Sequence, residues 1–412
     1  MKNFKQPAIY LYIAILSMFS LGSCDLNNTD TPEKPANQYL ISSEVAGSIT
    51  RDQATAIFTT QSPNDAQLIG YLMQSDVEIR KFIYKTTLKT TKIQASGLVC
   101  VPTQPGNYPI MSFQNGTNTL HNMAPTEAVN DDLYKIIESI SAMGFIVVVP
   151  DYIGFGASSE LTHPYLHAES TKQSILDLIR AAKEYCSDDK VTAKTTKDLF
   201  IFGYSQGGWA TMELQKEIET NYSTEFNLKA SSCGAGPYSI ENLTSTILSQ
   251  PEYQTPYFMA YLLNSYNAIG EISNPLSDFF NAPYATTIPS LFDGNHTGGD
   301  INSHLTSNLS VLFTSDFRTK FGTDSKFAGL RTALAANSIT AWKTTTPTKL
   351  FHGTADEVIP YSMSQTMLAD FKSKGVTDSQ IQLIPLTGAT HTSGVFQAGI
   401  QTVLWFLQLK TL

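Results

Sequence analysis

Leu199-Phe200-Ile201-Phe202-Gly203-Tyr204-Ser205-Gln206-Gly207-Gly208-Trp209-Ala210-Thr211-Met212-Glu213-Leu214 passes from an apolar, strand-like stretch through a glycine-flanked serine into a run that suits a helix. Its centre, Gly203 to Gly207, fits the pattern G-x-S-x-G. The physics of that pattern is steric. A serine held on a tight, strained turn needs close neighbours without side chains, and the turn exposes the hydroxyl beside the N–H groups that open a helix. Two glycines around a serine also arise by chance, so the flanking strand and helix carry the reading: strand, sharp turn, helix, with Ser205 presented as a nucleophile.

Outward from this segment, strands alternate with helices. Phe145 to Val149 (FIVVV) is a continuous apolar run of the kind a strand buried on both faces shows. Ile381 to Leu386 reads similarly, and Tyr108 to Phe113, Ala230 to Gly234 and Thr348 to Phe351 are shorter strand candidates. Glu78 to Pro102 holds two extended segments. Ile175, Leu178, Ile179 and Ala182 fall at i, i+3, i+4 and i+7, one face of a helix. Asp131 to Met143 behaves likewise and is closed by Gly144, while Phe396, Ile400, Val403, Leu404 and Leu407 repeat the pattern near the end. This alternation predicts an α/β fold, a mostly parallel central sheet with helices on both faces. It breaks over 241–344, a stretch rich in Asn, Ser, Thr, Pro and aromatic residues. We read 39–240 with 345–412 as the main domain and 241–344 as an inserted helical cap or lid that shapes a binding pocket.

A serine hydroxyl needs a base to take its proton, and the base needs a carboxylate to orient it. In this kind of fold the chain order is serine, then Asp or Glu, then His. The histidines after Ser205 are His296, His304, His352 and His391. The first two fall in the cap. His352 ends a strand candidate and reads as packed support for the loop that follows. His391 lies on the loop between the last strand candidate and the final helix, where a base can reach over the nucleophile. Asp356, on the loop after Thr348 to Phe351, is the carboxylate, with Glu357 its neighbour and competitor. Asp at that position also suits a helix N-cap.

Acyl transfer needs donors for a developing oxyanion. The backbone N–H of Gln206 is one candidate, and the strand-ending loop Asn115-Gly116-Thr117 supplies the second. His163 and His167 are spaced as a metal pair would be, but Pro164 lies between them and no H-E-x-x-H pattern accompanies them, so they read as structural. Asp151 and Tyr152 suit either the mouth of the site or packing. No metal and no organic cofactor is called for.

The chain of 412 residues carries a net charge of −9 and no Lys/Arg block, which argues against nucleic acid as a partner. Lys2 and Lys5 precede an uncharged run, Ala8 to Leu21, as in a secretory signal peptide. Leu21-Gly22-Ser23-Cys24 resembles a bacterial lipoprotein box. That resemblance implies that 1–24 is a signal, that Cys24 is lipidated, and that the protein is exported and anchored to a membrane. Residues 25–38 hold almost nothing apolar and read as a tether. The remaining cysteines, Cys100, Cys186 and Cys233, are odd in number and sit in or beside apolar stretches, so buried thiols are expected.

Pro150-Asp151-Tyr152-Ile153-Gly154-Phe155-Gly156, His163-Pro164-Tyr165-Leu166-His167-Ala168-Glu169-Ser170 and Gly203-Tyr204-Ser205-Gln206-Gly207-Gly208 together resemble secreted lipases of the α/β-hydrolase superfamily, the fungal lipase A type above all. The resemblance runs from about Thr87 to Leu407 and is weakest in the cap. It implies the α/β-hydrolase fold and Ser205, Asp356 and His391 as catalytic residues. One departure is Gln114-Asn115-Gly116 where many relatives have His-Gly. The expected function is hydrolysis of a small-molecule or lipid carboxylic ester through an acyl-enzyme on Ser205. A carbohydrate esterase or a serine peptidase would use the same triad, and a non-catalytic surface binding protein would have lost part of it.

Overall fold

All five residues of Ile146–Pro150 are buried, and their side chains divide between two cores. Ile146 and Val148 join Ile175, Leu178 and Ile179 on one side, while Val147 and Val149 join Phe200, Phe202 and Phe406 on the other. A strand whose alternate side chains all meet apolar layers sits at the centre of a sheet covered on both faces. The computed structural model describes residues 37–61 and 66–410. The signal peptide, Cys24 and most of the tether expected above lie outside the described residues.

Among the described residues the strands are β1 (Leu40–Ile49), β2 (Val77–Leu88), β3 (Thr91–Pro102), β4 (Gly106–Gln114), β5 (Ile146–Pro150), β6 (Ala193–Tyr204), β7 (Asn227–Gly234), β8 (Thr348–Gly353) and β9 (Ile381–Leu386). They form one sheet in the order β1-β2-β3-β5-β4-β6-β7-β8-β9. The first three strands and the β3–β5 pair are antiparallel, and every pair from β5 to β9 is parallel. This is the mostly parallel sheet the alternation predicts. The carboxyl ends of β4, β6, β7, β8 and β9 open at one edge, where ligand sites of such sheets lie.

The helix Ala168–Cys186 buries Ile175, Leu178, Ile179 and Ala182, the face read from its periodicity. Asp131 caps the helix Asp132–Ser139 by accepting from the backbone N–H of Leu133 at 2.9 Å, and Gly144 closes the turn after it at φ +83°. The last helix, His391–Lys410, buries Val403 and Phe406, but Phe396 stands 45% exposed, because the core side of that first turn is taken by Gly394 and Ala398. Cys100, Cys186 and Cys233 are free and buried.

Short helices fill the stretch between β7 and β8, among them Ile240–Ser249, Tyr257–Ala268 and Ala328–Ala336. Among them Phe317 touches Phe279, Phe313, Phe321 and Phe327, and these rings join the same buried cluster as Ile175, Leu178 and Trp209 on one face of the sheet. Hydrogen bonds tie this stretch to the sheet region: Trp209 Nε1 donates to Asn337 O at 2.9 Å, and Tyr266 Oη to Leu166 O at 2.9 Å.

Candidate active site

β6 ends at Tyr204 and the helix Gln206–Asn221 starts two residues later, so Ser205 alone turns the chain. Its backbone takes φ +60° and ψ −124°, a region that costs a residue with a side chain about 1–3 kcal/mol. The turn is held from outside: Ser205 N donates to Gly234 O, at the end of β7, at 2.8 Å. A Cβ on Gly207 would fall on the carbonyl oxygen of Gln114, which is why the position after next cannot carry a side chain.

The hydroxyl is met by an imidazole. Ser205 Oγ lies 2.9 Å from His391 Nε2, and His391 Nδ1 lies 2.7 Å from Asp356 Oδ2. The three side chains come from the ends of β6, β8 and β9, residues far apart in the chain that the parallel sheet delivers to one edge. Asp356 is not a helix N-cap, since the next helix starts at Ser362 behind Tyr361; its Oδ1 instead holds the loop, accepting from Val358 N at 2.9 Å and Ile359 N at 2.8 Å. Burial opposes its ionisation, yet hydrogen bonds from His352, His391 and the Ile359 N–H, with the charge of His391, outweigh that and hold the carboxyl well below the usual carboxylate range. The neighbouring Glu357 accepts from the backbone N–H of His391 at 3.1 Å and leaves the imidazole to Asp356.

His352 is fully buried. Its Nε2–H is shared between Ile359 O at 2.9 Å and Asp356 Oδ2 at 3.3 Å, and its Nδ1 pairs with Ser364 Oγ at 2.7 Å. It therefore supports the Asp356 loop, as read from the sequence. His296 and His304 lie in the stretch between β7 and β8, partnered with Asp293 and the Asp300 carbonyl.

The loop after β4 does reach the serine. A Cβ built on Gly116 would stand 4.0 Å from Ser205 Cβ and 3.6 Å from Tyr204 O. Those are ordinary contacts, so a lack of room is not what selects glycine there. The Asn115 side chain donates to Pro150 O at 2.9 Å, and Thr117 Oγ1 pairs with Tyr165 Oη at 2.9 Å. Gln206 opens the helix with its N–H in the first turn, where the helix field favours negative charge.

Asp151 proves to be a packing group. It is buried, and it accepts from Ser96 Oγ at 2.5 Å, Thr126 N at 2.9 Å and Thr126 Oγ1 at 2.6 Å. Burial pushes its carboxyl up to about 6 against those hydrogen bonds. His163 and His167 do not face one another as ligands: His163 is bonded to Ile153 O and Gln206, while His167 caps the helix that follows it. Among the described residues no group of three or more His, Cys, Asp or Glu side chains could hold a metal ion. The contact between His163 and Gln206 was not foreseen, because only the fold brings the two residues together.

Ser205 lines one wall of a narrow cavity. Leu243, Ile247, Phe258 and Leu262, all from the stretch between β7 and β8, line it together with Leu166 and Ile359. The wall beyond the hydroxyl is thus largely apolar, as suits the acyl part of an ester.

The sheet order, the strand–serine–helix turn and the convergent Ser, His and Asp define an α/β-hydrolase. The secretory lipase family model matches residues 119–408, and the chain belongs to that family. Among solved structures, a protein from Legionella pneumophila is similar with a TM-score of 0.80 at 25% identity, over 90% of this chain and 98% of that one. A ligand-bound form of the rice cell wall degrading esterase LipA from Xanthomonas oryzae is similar with a TM-score of 0.76 at 26% identity, over 90% of this chain and 97% of that one. Candida antarctica lipase A in its closed state shares the fold, with a TM-score of 0.65 at 20% identity, over 90% of this chain and 82% of that one. No curated protein matches the chain by sequence. The protein is a hydrolase of ester bonds, and membership of a secretory family accords with export. No helix among the described residues is long and apolar enough to cross a membrane.

Proposed function

We propose that the protein is a serine carboxylic-ester hydrolase that works through an acyl-enzyme on Ser205. The observation that carries this is the hydrogen-bonded series Ser205 Oγ–His391 Nε2, 2.9 Å, and His391 Nδ1–Asp356 Oδ2, 2.7 Å. Ser205 Oγ attacks the ester carbonyl carbon as its proton passes to His391 Nε2. The carbonyl oxygen becomes an oxyanion held by the backbone N–H of Gln206 and by the Asn115–Thr117 loop. Collapse breaks the bond to the alcohol oxygen, which leaves with the proton from His391. Water then repeats the sequence on the acyl-enzyme and releases the acid. Asp356, kept ionised, stabilises the imidazolium at both steps.

Residues 241–344 act as a cap whose apolar side chains receive the acyl part. Cys24 carries the lipid that holds the exported enzyme at a membrane. A polysaccharide as the alcohol part is a second reading, favoured by the likeness to the cell wall degrading esterase. The intact series of three side chains weighs against a non-catalytic binding protein.

The test uses nitrophenyl esters from acetyl to palmitoyl, with Ser205→Ala beside the wild type. Ser205→Ala is expected to lower kcat on the order of a million-fold. Turnover by long-chain esters marks a lipase, and turnover by acetyl and butyryl esters alone marks a small-acyl or carbohydrate esterase. Activity that survives Ser205→Ala would overturn the proposal.

A further inference from the structure

Gln206 is a long polar side chain in a poor place for one. It opens the helix that follows the nucleophile, and it is 1% exposed. Burying an amide without partners costs free energy, and its Oε1 has none, so the bond its Nε2 makes must answer for its presence. Its Nε2 lies 3.0 Å from Nε2 of His163, which is itself buried. The other ring nitrogen of His163 lies 2.7 Å from the carbonyl oxygen of Ile153. A carbonyl can only accept, so Nδ1 carries the proton and Nε2 offers a lone pair. The Gln206 amide is therefore the donor to His163. Burial pushes the His163 imidazole down to about 4, against the bond to Ile153, which keeps it neutral and able to accept.

A second contact runs parallel to the first. Tyr152 is buried, and its hydroxyl donates to the carbonyl oxygen of Asn115 at 3.2 Å. A peptide unit is planar and trans, so its carbonyl and N–H point in opposite directions. Holding Asn115 O fixes the direction in which the N–H of Gly116, beside Ser205, must point. Tyr152 sits at φ +69°, a strained value for a residue with a side chain, and its ring stacks on that of His163 with centroids 5.9 Å apart. Both rings belong to one braced segment. Asp151 ties its start to Ser96 and Thr126, and Gly154 packs so closely on the backbone of His163 that a Cβ there would stand 2.5 Å from His163 N.

We infer that Tyr152 and His163 are positioning residues for the oxyanion hole, one setting the Asn115–Gly116 peptide and the other setting Gln206. The inference rests on the reading of Ser205 as the nucleophile. Neither ring touches the substrate. Each acts through the backbone that supplies a donor, and donors out of place by a fraction of an ångström lose their effect on the transition state while substrate binding is kept.

The test compares wild type with Tyr152→Phe, His163→Leu and His163→Gln. Active sites are first counted with a fluorophosphonate probe, so that kcat refers to folded enzyme alone. Tyr152→Phe keeps the ring and removes only the O–H, which guards against loss of folding. His163→Gln keeps one donor and one acceptor on the same side chain. Tyr152→Phe and His163→Leu are expected to lower kcat roughly ten- to hundred-fold with KM nearly unchanged. The inhibition constant of an alkyl trifluoromethyl ketone, which mimics the tetrahedral oxyanion, should rise by the same factor. His163→Gln should recover most of the loss. Unchanged kcat and unchanged ketone affinity per labelled site in both Tyr152→Phe and His163→Leu would overturn the inference. Failure of the underlying reading would look different, as a wild type that the probe does not label at Ser205.

Discussion

His352 Nε2 lies 3.3 Å from Asp356 Oδ2, four residues further along a loop from which both side chains are shut off from solvent. The catalytic candidate His391 holds the same oxygen at 2.7 Å. One carboxylate oxygen thus serves two imidazoles, one fixed at the end of β8 and one poised over the serine, and the fixed one helps keep the carboxyl ionised.

Replacement of His352 by Leu removes a buried hydrogen bond to a charged group, a contribution of about 1.5–3 kcal/mol. The sign follows from the depressed carboxyl. Its stabilisation is complete above the usual carboxylate range and is lost as pH falls through the lower folded value. In His352→Leu the carboxyl of Asp356 moves back toward its ordinary range, so the stability it contributes is lost at a higher pH on the acid side. The pH dependence of the melting temperature below the usual carboxylate range in His352→Leu and wild type checks this, and parallel acid limbs would contradict it.

Glu138 titrates in the opposite direction. It is fully buried, neither carboxyl oxygen has a partner, and burial pushes its pKa up to about 8, with Lys135 only partly opposing. A carboxyl raised in the fold is protonated there while the unfolded chain has released its proton. Its cost to stability therefore grows as pH rises from the ordinary Glu range through about 8. Glu138→Gln mimics the neutral form. The melting temperature of wild type is expected to fall more steeply than that of Glu138→Gln between about pH 5 and about pH 8, and parallel curves would contradict the assignment.

Phe317, fully buried among four other phenylalanines, tests whether the inserted stretch is part of the folding unit. Phe317→Ala is expected to cost about 3–5 kcal/mol. If 241–344 folds with the sheet through the Trp209–Asn337 and Tyr266–Leu166 bonds, thermal unfolding stays a single transition at a lower temperature. A separate early transition that leaves the sheet region folded would contradict that coupling.

The chain's chemistry is easier to read than its edges. Ser205, Asp356 and His391 stand out because acyl transfer restricts both residue types and their order, and because β6 ends in an apolar run, β9 is mostly apolar and even the short Leu-Phe of β8 marks where a loop opens. β5 is legible as an unbroken apolar run, because both its faces are buried, and the helix Ala168–Cys186 is legible because one buried face writes a period into its side chains. β1 is not legible. It is an edge strand, Leu-Ile-Ser-Ser-Glu-Val-Ala-Gly-Ser-Ile, with only its two ends buried, so its residues carry no alternation and its pairing with β2 supplies the order. The helices Arg51–Gln61 and Ala66–Leu72 are short and only partly apolar, and the sequence alone does not mark them. The inserted stretch hides its core because the phenylalanines that meet in space come from different short helices. His163 is hidden differently. In the sequence it reads as a structural loop residue, and only the fold brings Gln206, forty-three residues on, against its second ring nitrogen.

The central claim is an acyl-enzyme on Ser205, and the most direct measurement is the mass of the protein during turnover. Wild-type enzyme and Ser205→Ala are mixed with excess nitrophenyl butyrate, quenched in acid in the steady state, and digested for peptide mapping. The account predicts a butyryl group on the peptide that contains Ser205 in wild type, matched by a burst of nitrophenol no larger than the enzyme concentration, and neither in Ser205→Ala. Steady turnover with no adduct on that peptide, together with full activity in Ser205→Ala, would contradict it.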